Sequence, residues 1–216
     1  MLAPYSRKLG PDPSSIESCW IGGVVANNSS GMCCGVAQNT YHTIKDLRIV
    51  FHDGTILDTA DPASWASFQS THRHIVQGVQ ALSQSVKADK ELTALINKKF
   101  SIKCTTGYSI NALVDFEEPL EIIKHLMVGS EGTLGFVSRA TYHTVPDYKD
   151  KASAFVVFAT VDDAANATAL LRVAKCTDAV ELMDRRFITV NFSRCVAFLM
   201  YGAVADRCGL ARTWST

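Results

Sequence analysis

Gly129-Ser130-Glu131-Gly132-Thr133-Leu134-Gly135 is the stretch whose reading decides the fold. Before it, Pro119 opens a short helix, since proline suits the first helical turn, and Ile122, Ile123 and Leu126 form its apolar stripe. After it, Phe136 to Val145 alternates as a strand, and Pro146 stops that strand.

A second small-residue turn lies near the other end of the same region. Ile21-Gly22-Gly23-Val24-Val25-Ala26 runs directly into Asn27-Asn28-Ser29-Ser30-Gly31. Glycine lets backbone approach a ligand closely, and exposed N–H groups in such turns form anion-binding nests. Two such turns in one domain suit a long, polar, phosphate-bearing cofactor. They also suit plain tight turns, and spacing alone favours that blander reading while leaving both open. There is no GxGxxG after a strand and no GxxxxGK[ST], so neither a dinucleotide Rossmann site nor a P-loop is supported.

The region between them is regular. Residues 45–51 read as a strand, Asp53-Gly54 as a turn and residues 55–57 as the returning strand of a hairpin. From His74 to Phe100 the pattern is helical, weakest at Gly78, with Leu92, Leu95 and Ile96 sharing one face. Residues 153–160 form a buried strand, and Asp162 to Lys175 a helix capped by Asp162 or Asp163. Residues 178–184 form a further strand, so this β-α-β unit opens a different domain. The first fifteen residues are turn-rich and read as a start in mid-domain, while residues 191–216 carry no periodicity.

Composition excludes several classes. The chain has 216 residues, 47% hydrophobic and 19% charged, with a net charge of +0. It therefore lacks the basic footprint of a nucleic-acid or anionic-lipid binder. No run approaches the roughly 20 apolar residues of a membrane span, and the N-terminus has no secretory apolar core. The expectation is a cytoplasmic protein. Seven cysteines include the adjacent Cys33 and Cys34 but no CxxC, so they read as reduced structural thiols. His72 and His74 lack a third partner, and no metal site is expected. No GxSxG elbow supports a serine hydrolase.

Three segments together carry a resemblance. Residues 11–59, PDPSSIESCWIGGVVANNSSGMCCGVAQNTYHTIKDLRIVFHDGTILDT, are followed by 105–116, TTGYSINALVDF, and 125–146, HLMVGSEGTLGFVSRATYHTVP. They resemble the FAD-linked oxidases with a PCMH-type FAD-binding domain. That family includes D-lactate and D-2-hydroxyglutarate dehydrogenases, and the ANNSSGMCCG segment is similar to long bacterial members with a following iron–sulfur domain. The resemblance covers roughly residues 8–190.

It implies an α+β fold: the second subdomain of a PCMH-type domain over residues 1–147, then the start of a ferredoxin-like cap over 152–190. Residues 191–216 form a tail outside the family pattern. It implies FAD as cofactor, with Ser14, Ser15, Cys19 and Trp20 along it and close backbone approach at Gly22 and Gly23. Asn27, Asn28, Ser29 and Ser30 would supply hydrogen bonds, and Glu131, Gly132, Thr133 and Gly135 a second contact loop. Thr106, Gly107 and Tyr108 match a loop that passes near the flavin.

The implied reaction is oxidation of a D-2-hydroxy acid, D-lactate or D-2-hydroxyglutarate, by hydride transfer to flavin in a longer enzyme. The electron acceptor is unknown, and the full-length protein is expected in the cytoplasm or peripheral to the inner membrane. The family's pyrophosphate loop, most of its substrate cap and its iron–sulfur cysteines have no counterpart here, so no catalytic base is assigned. The alternatives are an inactive truncated scaffold, or another oxidase of the same fold such as one with covalent FAD. The expectation for the isolated chain is weak or no FAD binding, no turnover and poor solubility.

Overall fold

The computed structural model describes residues 2–174, 177–183 and 196–203, in two compact units. One unit spans Leu9–Val145, and the other takes the described residues on either side of it. Two-residue strands β1 (Arg7–Lys8) and β5 (Val145–Pro146) lie where the chain passes from one unit to the other.

In the first unit a three-stranded antiparallel sheet carries the core. Strand β2 (Ile44–Val50) is central, between β3 (Ile56–Asp58) and β4 (Phe136–Tyr142). Leu47 and Ile49 are buried on the face that meets helices while Arg48 between them is exposed, and a register shift between Ile44 and Asp46 leaves Lys45 exposed with both Ile44 and Leu47 buried. The expected hairpin is present, with Gly54 at φ +83° and the Phe51 N–H donating to the Thr55 carbonyl at 2.9 Å. Strand β4 stops at Tyr142, short of the expected Val145, although the His143 N–H still donates to the Thr43 carbonyl at 2.7 Å.

Helices α1 (Ile21–Ala26), α2 (Thr40–Thr43) and α3 (Pro62–Thr71) surround the sheet with α4 (Arg73–Ala88), α5 (Lys90–Phe100), α6 (Ala112–Asp115) and α7 (Pro119–Met127). Helix α3 has no counterpart in the periodicity reading, although Asp61 accepts from the Ala63 N–H at 2.9 Å and Pro62 follows it. The helical run from residue 74 to 100 is two helices. Gly78 does not interrupt it, since its face is open; the break falls at Asp89, which is extended and accepts from the Leu92 N–H at 2.9 Å. Only Ile96 of the expected apolar face of α5 is buried; Leu92 and Leu95 stay exposed. In α7, Ile122, Ile123 and Met127 enter the core with Leu47, Ile49, Leu57 and Phe68. Each fully buried side chain of this kind contributes roughly 1.5–3 kcal/mol.

In the second unit β6 (Lys151–Phe158) leads to α8 (Val161–Ala174) and β7 (Ala179–Met183). Strand β8 (Val196–Ala203) lies between β6 and β7 and runs antiparallel to both, which makes a split β-α-β. A strand thus lies in the stretch that shows no periodicity; residues 191–195 and 204–216 lie outside the described residues, as do Lys175 and Asp184 at the ends of the expected helix and strand. The cap of α8 is Thr160 instead of Asp162 or Asp163. Its hydroxyl accepts from the Asp163 N–H at 3.1 Å and donates to the Asp163 carboxylate at 2.7 Å.

Candidate functional site

The two glycine-rich turns, far apart in sequence, meet in space. The Gly129 N–H donates to the Val25 carbonyl at 3.0 Å, and the Glu131 N–H donates to the Ala26 carbonyl at 2.9 Å. These bonds add partners at the C-terminal end of α1, where the Val25 carbonyl also accepts from the Asn28 N–H at 3.1 Å. The joint is tightly shaped. Asn28 (φ +45°), Gly129 (φ +84°), Glu131 (φ +51°) and Gly132 (φ +77°) are all left-handed. A Cβ added to Gly129 would lie 3.5 Å from that of Asn28.

Residues 103–109 form a third wall tied to both turns. Lys103 Nζ donates to the Ser30 carbonyl at 3.1 Å, Tyr108 and Thr133 share a hydroxyl–hydroxyl bond of 2.8 Å, and Ser109 Oγ donates to the Val128 carbonyl at 2.7 Å. The Thr133 hydroxyl also donates to the Ser130 carbonyl at 2.5 Å. Within this rim the Ser30 Oγ is buried with no hydrogen-bond partner among the described residues.

The glycines divide into two kinds. At Gly23 an added Cβ would meet nothing within 4 Å, and at Gly22 its nearest neighbour would be 3.9 Å away; Gly132 also faces open space. Protein packing does not require glycine at Gly22 or Gly23, so the space beside them is available to a ligand. By contrast, a Cβ on Gly31 would fall 1.7 Å from the Asp12 carbonyl oxygen, and one on Gly10 would fall 2.2 Å from that of Gln38. Asp12 then clamps the turn by accepting from the Cys33 and Cys34 N–H groups at 2.8 and 3.0 Å.

Residues 1–60 match the FAD binding domain family. The chain is 25% identical over 191 residues to a D-2-hydroxyglutarate dehydrogenase of Pantoea ananatis, covering 88% of this chain and 18% of that protein. It is 28% identical over 192 residues to the mitochondrial D-lactate dehydrogenase [cytochrome] 1 of Saccharomyces cerevisiae, covering 87% of this chain and 23% of that one. These matches make the chain similar to proteins with an FAD binding domain and to these two dehydrogenases. A solved alkyldihydroxyacetonephosphate synthase has the same fold, with a TM-score of 0.54 and 16% identity over 93% of this chain and 31% of that one. The chain thus spans about a fifth of the length of the curated relatives it matches. FAD is the cofactor of this family.

The family residues read from the sequence fall in three settings. Ser14, Ser15, Gly22, Gly23, Asn27, Glu131, Gly132 and Thr133 are exposed, and Trp20 at the N-cap of α1 is 86% exposed. Cys19, Ser29 and Ser30 are half-buried. Asn28 and Gly135 point inward: the Asn28 amide oxygen accepts from the Tyr41 N–H at 3.4 Å, and a Cβ on Gly135 would press on Ile49 and Met127 at 3.1 and 3.2 Å. Sequence reading missed Gly10, Asp12 and Lys103, whose partners are distant in the chain. Cys19, Cys34 and Cys104 are free thiols, while Cys176, Cys195 and Cys208 lie outside the described residues. His72 Nε2 lies 2.9 Å from Asp53, its Nδ1 bonds the Thr71 hydroxyl at 2.8 Å, and its ring lies 6.1 Å from that of His74.

A second cleft of the same unit, about 640 Å³, is lined by Tyr41, His42, Asp115, Glu121, Lys124 and His125 among others. Tyr41 donates to Asp115 at 2.7 Å, and burial followed by that carboxylate raises the phenol far above its usual range. The His125 ring stacks on Phe116 at 4.1 Å, its Nδ1 donates to the Glu121 carbonyl at 2.8 Å, and burial keeps its pKa below the ordinary value. Lys124 is also buried, bonding the Lys45 carbonyl and the Glu121 carboxylate at 2.8 and 2.7 Å.

Proposed function

We propose that this chain forms one wall of the FAD site in a longer flavoenzyme that oxidises a D-2-hydroxy acid, D-lactate or D-2-hydroxyglutarate. The observation that carries the reading is the pair of bonds from Gly129 and Glu131 to α1. They hold two glycine-rich turns side by side as one surface, with open space at Gly22, Gly23 and Gly132. The residues present suit a flavin dinucleotide. Backbone without Cβ permits close approach, Trp20 and Tyr108 are exposed aromatic rings, and the orphaned Ser30 hydroxyl lacks a partner that a ligand can supply.

In this reading Gly22, Gly23, Asn27, Ser29 and Ser30 hold one part of FAD, and Glu131, Gly132 and Thr133 another. When bound, FAD supplies the hydride-accepting chemistry. The chain's own residues bind and orient: α1 and the 129–135 turn fix the position, and the Tyr108–Thr133 pair keeps the rim in one geometry. No side chain here is assigned as the base that takes the hydroxyl proton. The relatives' names support the D-2-hydroxy acid. A chain spanning about a fifth of their length is read as a cofactor wall without turnover of its own.

Fluorescence titration tests this directly. Saturable, weak quenching of FAD by the chain is expected, together with no reduction of a redox dye by D-lactate or D-2-hydroxyglutarate. Absence of saturable quenching would sink the cofactor wall; dye reduction by the chain alone would sink the claim that it has no turnover.

A further inference from the structure

Lys103 lies outside both glycine-rich turns yet touches the first. Its ammonium donates to the Ser30 carbonyl at 3.1 Å, and among the described residues it has no ion pair with a carboxylate. An ammonium has three donors, so this one bond leaves two N–H groups and a full positive charge exposed beside the turn. The same Ser30 carries the buried hydroxyl that has no partner, and one rotation about its Cα–Cβ bond re-aims it. The segment of Lys103 is tied to the second turn by the Tyr108–Thr133 bond of 2.8 Å and the Ser109–Val128 bond of 2.7 Å.

We propose that Lys103 binds the phosphoryl oxygens of a ligand laid along the Asn27–Ser30 turn, with the Ser30 hydroxyl as a second donor. The inference rests on the FAD reading above and deepens it by placing the anionic part of the cofactor at this turn. Phosphoryl oxygens carry negative charge and only accept, which matches a free ammonium and an unpaired hydroxyl. An isoalloxazine ring without phosphate has no such need. The phosphoryl group can belong to FAD or to a free nucleotide, and the ligands chosen separate these sources.

The 216-residue chain and its Lys103→Gln and Lys103→Arg variants are titrated with FAD, riboflavin and ADP. Lys103→Gln weakens FAD about five- to tenfold and changes riboflavin by less than about twofold, as expected for one partly exposed charge-assisted contact. Lys103→Arg restores most of the FAD affinity. Added KCl weakens FAD binding to the wild-type chain more steeply than to Lys103→Gln. An equal loss for ADP and FAD means that the diphosphate suffices; a loss for FAD without measurable ADP binding means that the flavin must bring it, and both support the assignment. Equal FAD affinity in wild type and Lys103→Gln overturns it, as does a parallel loss for FAD and riboflavin, which is the mark of a lysine that only braces the loop. A wild-type chain that binds neither flavin overturns the cofactor reading itself, a result separate from parity between variants.

Discussion

The Glu131 N–H donates to the Ala26 carbonyl at 2.9 Å, and through that bond the left-handed turn at Glu131 caps α1. A non-glycine residue at φ +51° is strained, and the bond compensates part of that strain. The two turns therefore stand or fall together, and substitutions in either reach the other.

Gly23 and Gly132 both face open space, but their backbones differ. Gly23 is helical, so Gly23→Ala is expected to raise stability by about 0.5–1 kcal/mol in urea unfolding while weakening FAD binding. Gly132→Ala is expected to lower stability by about 1 kcal/mol, since φ +77° penalises a Cβ with no neighbour involved. If Gly23→Ala leaves FAD affinity unchanged, the open space beside α1 is not the cofactor surface.

Gly31→Ala should be far more damaging. Its Cβ would fall 1.7 Å from the Asp12 backbone oxygen, and backbone cannot swing aside as a long side chain can. A loss of about 3 kcal/mol or failure to fold is expected, measured by urea unfolding. A stable, unperturbed Gly31→Ala chain would contradict the packing of the 10–13 segment on the 31–38 turn.

His125 predicts a pH dependence. Burial, the largest cause, holds its pKa below the ordinary 6.5, with Lys124 and His42 adding to the shift and the Glu121 carbonyl and carboxylate opposing it. The folded state then binds fewer protons than the unfolded state just below that value. Stability is therefore lost as pH falls through 6.5 towards the folded pKa. Urea midpoints measured between pH 7 and pH 5 should fall more steeply for wild type than for His125→Gln; equal slopes would refute the assignment.

Exposed apolar side chains predict self-association. Ile56 and Phe136 flank Val50 in one row across the sheet, and Leu170 and Val173 of α8 are 71% and 80% exposed. Light scattering should report association at micromolar concentration that Leu170→Lys with Val173→Lys, or Phe136→Ser, reduces. A wild-type chain that stays monomeric at high concentration would show these residues to be harmless.

Local features were legible in the sequence because their causes are local. Asp53-Gly54 set the hairpin through Gly54 at φ +83°, Pro119 started α7, and the two glycine-rich blocks with their order carried the resemblance to FAD-binding proteins, which residues 1–60 match. Helix α3 went unread despite its Asp61-Pro62 start, because its apolar residues lack a clean period. What depends on a distant partner could be decided only by the tertiary structure. The sequence could not distinguish Gly31, which must be glycine to pass the Asp12 backbone, from Gly23, which packs against nothing. Nor could it show that Leu92 and Leu95 stay in solvent, that β8 enters between β6 and β7, or that Lys103 reaches Ser30. Composition and period report a residue's own preference, whereas a collision, a strand order or a hydrogen bond across the fold is a property of two places brought together by packing.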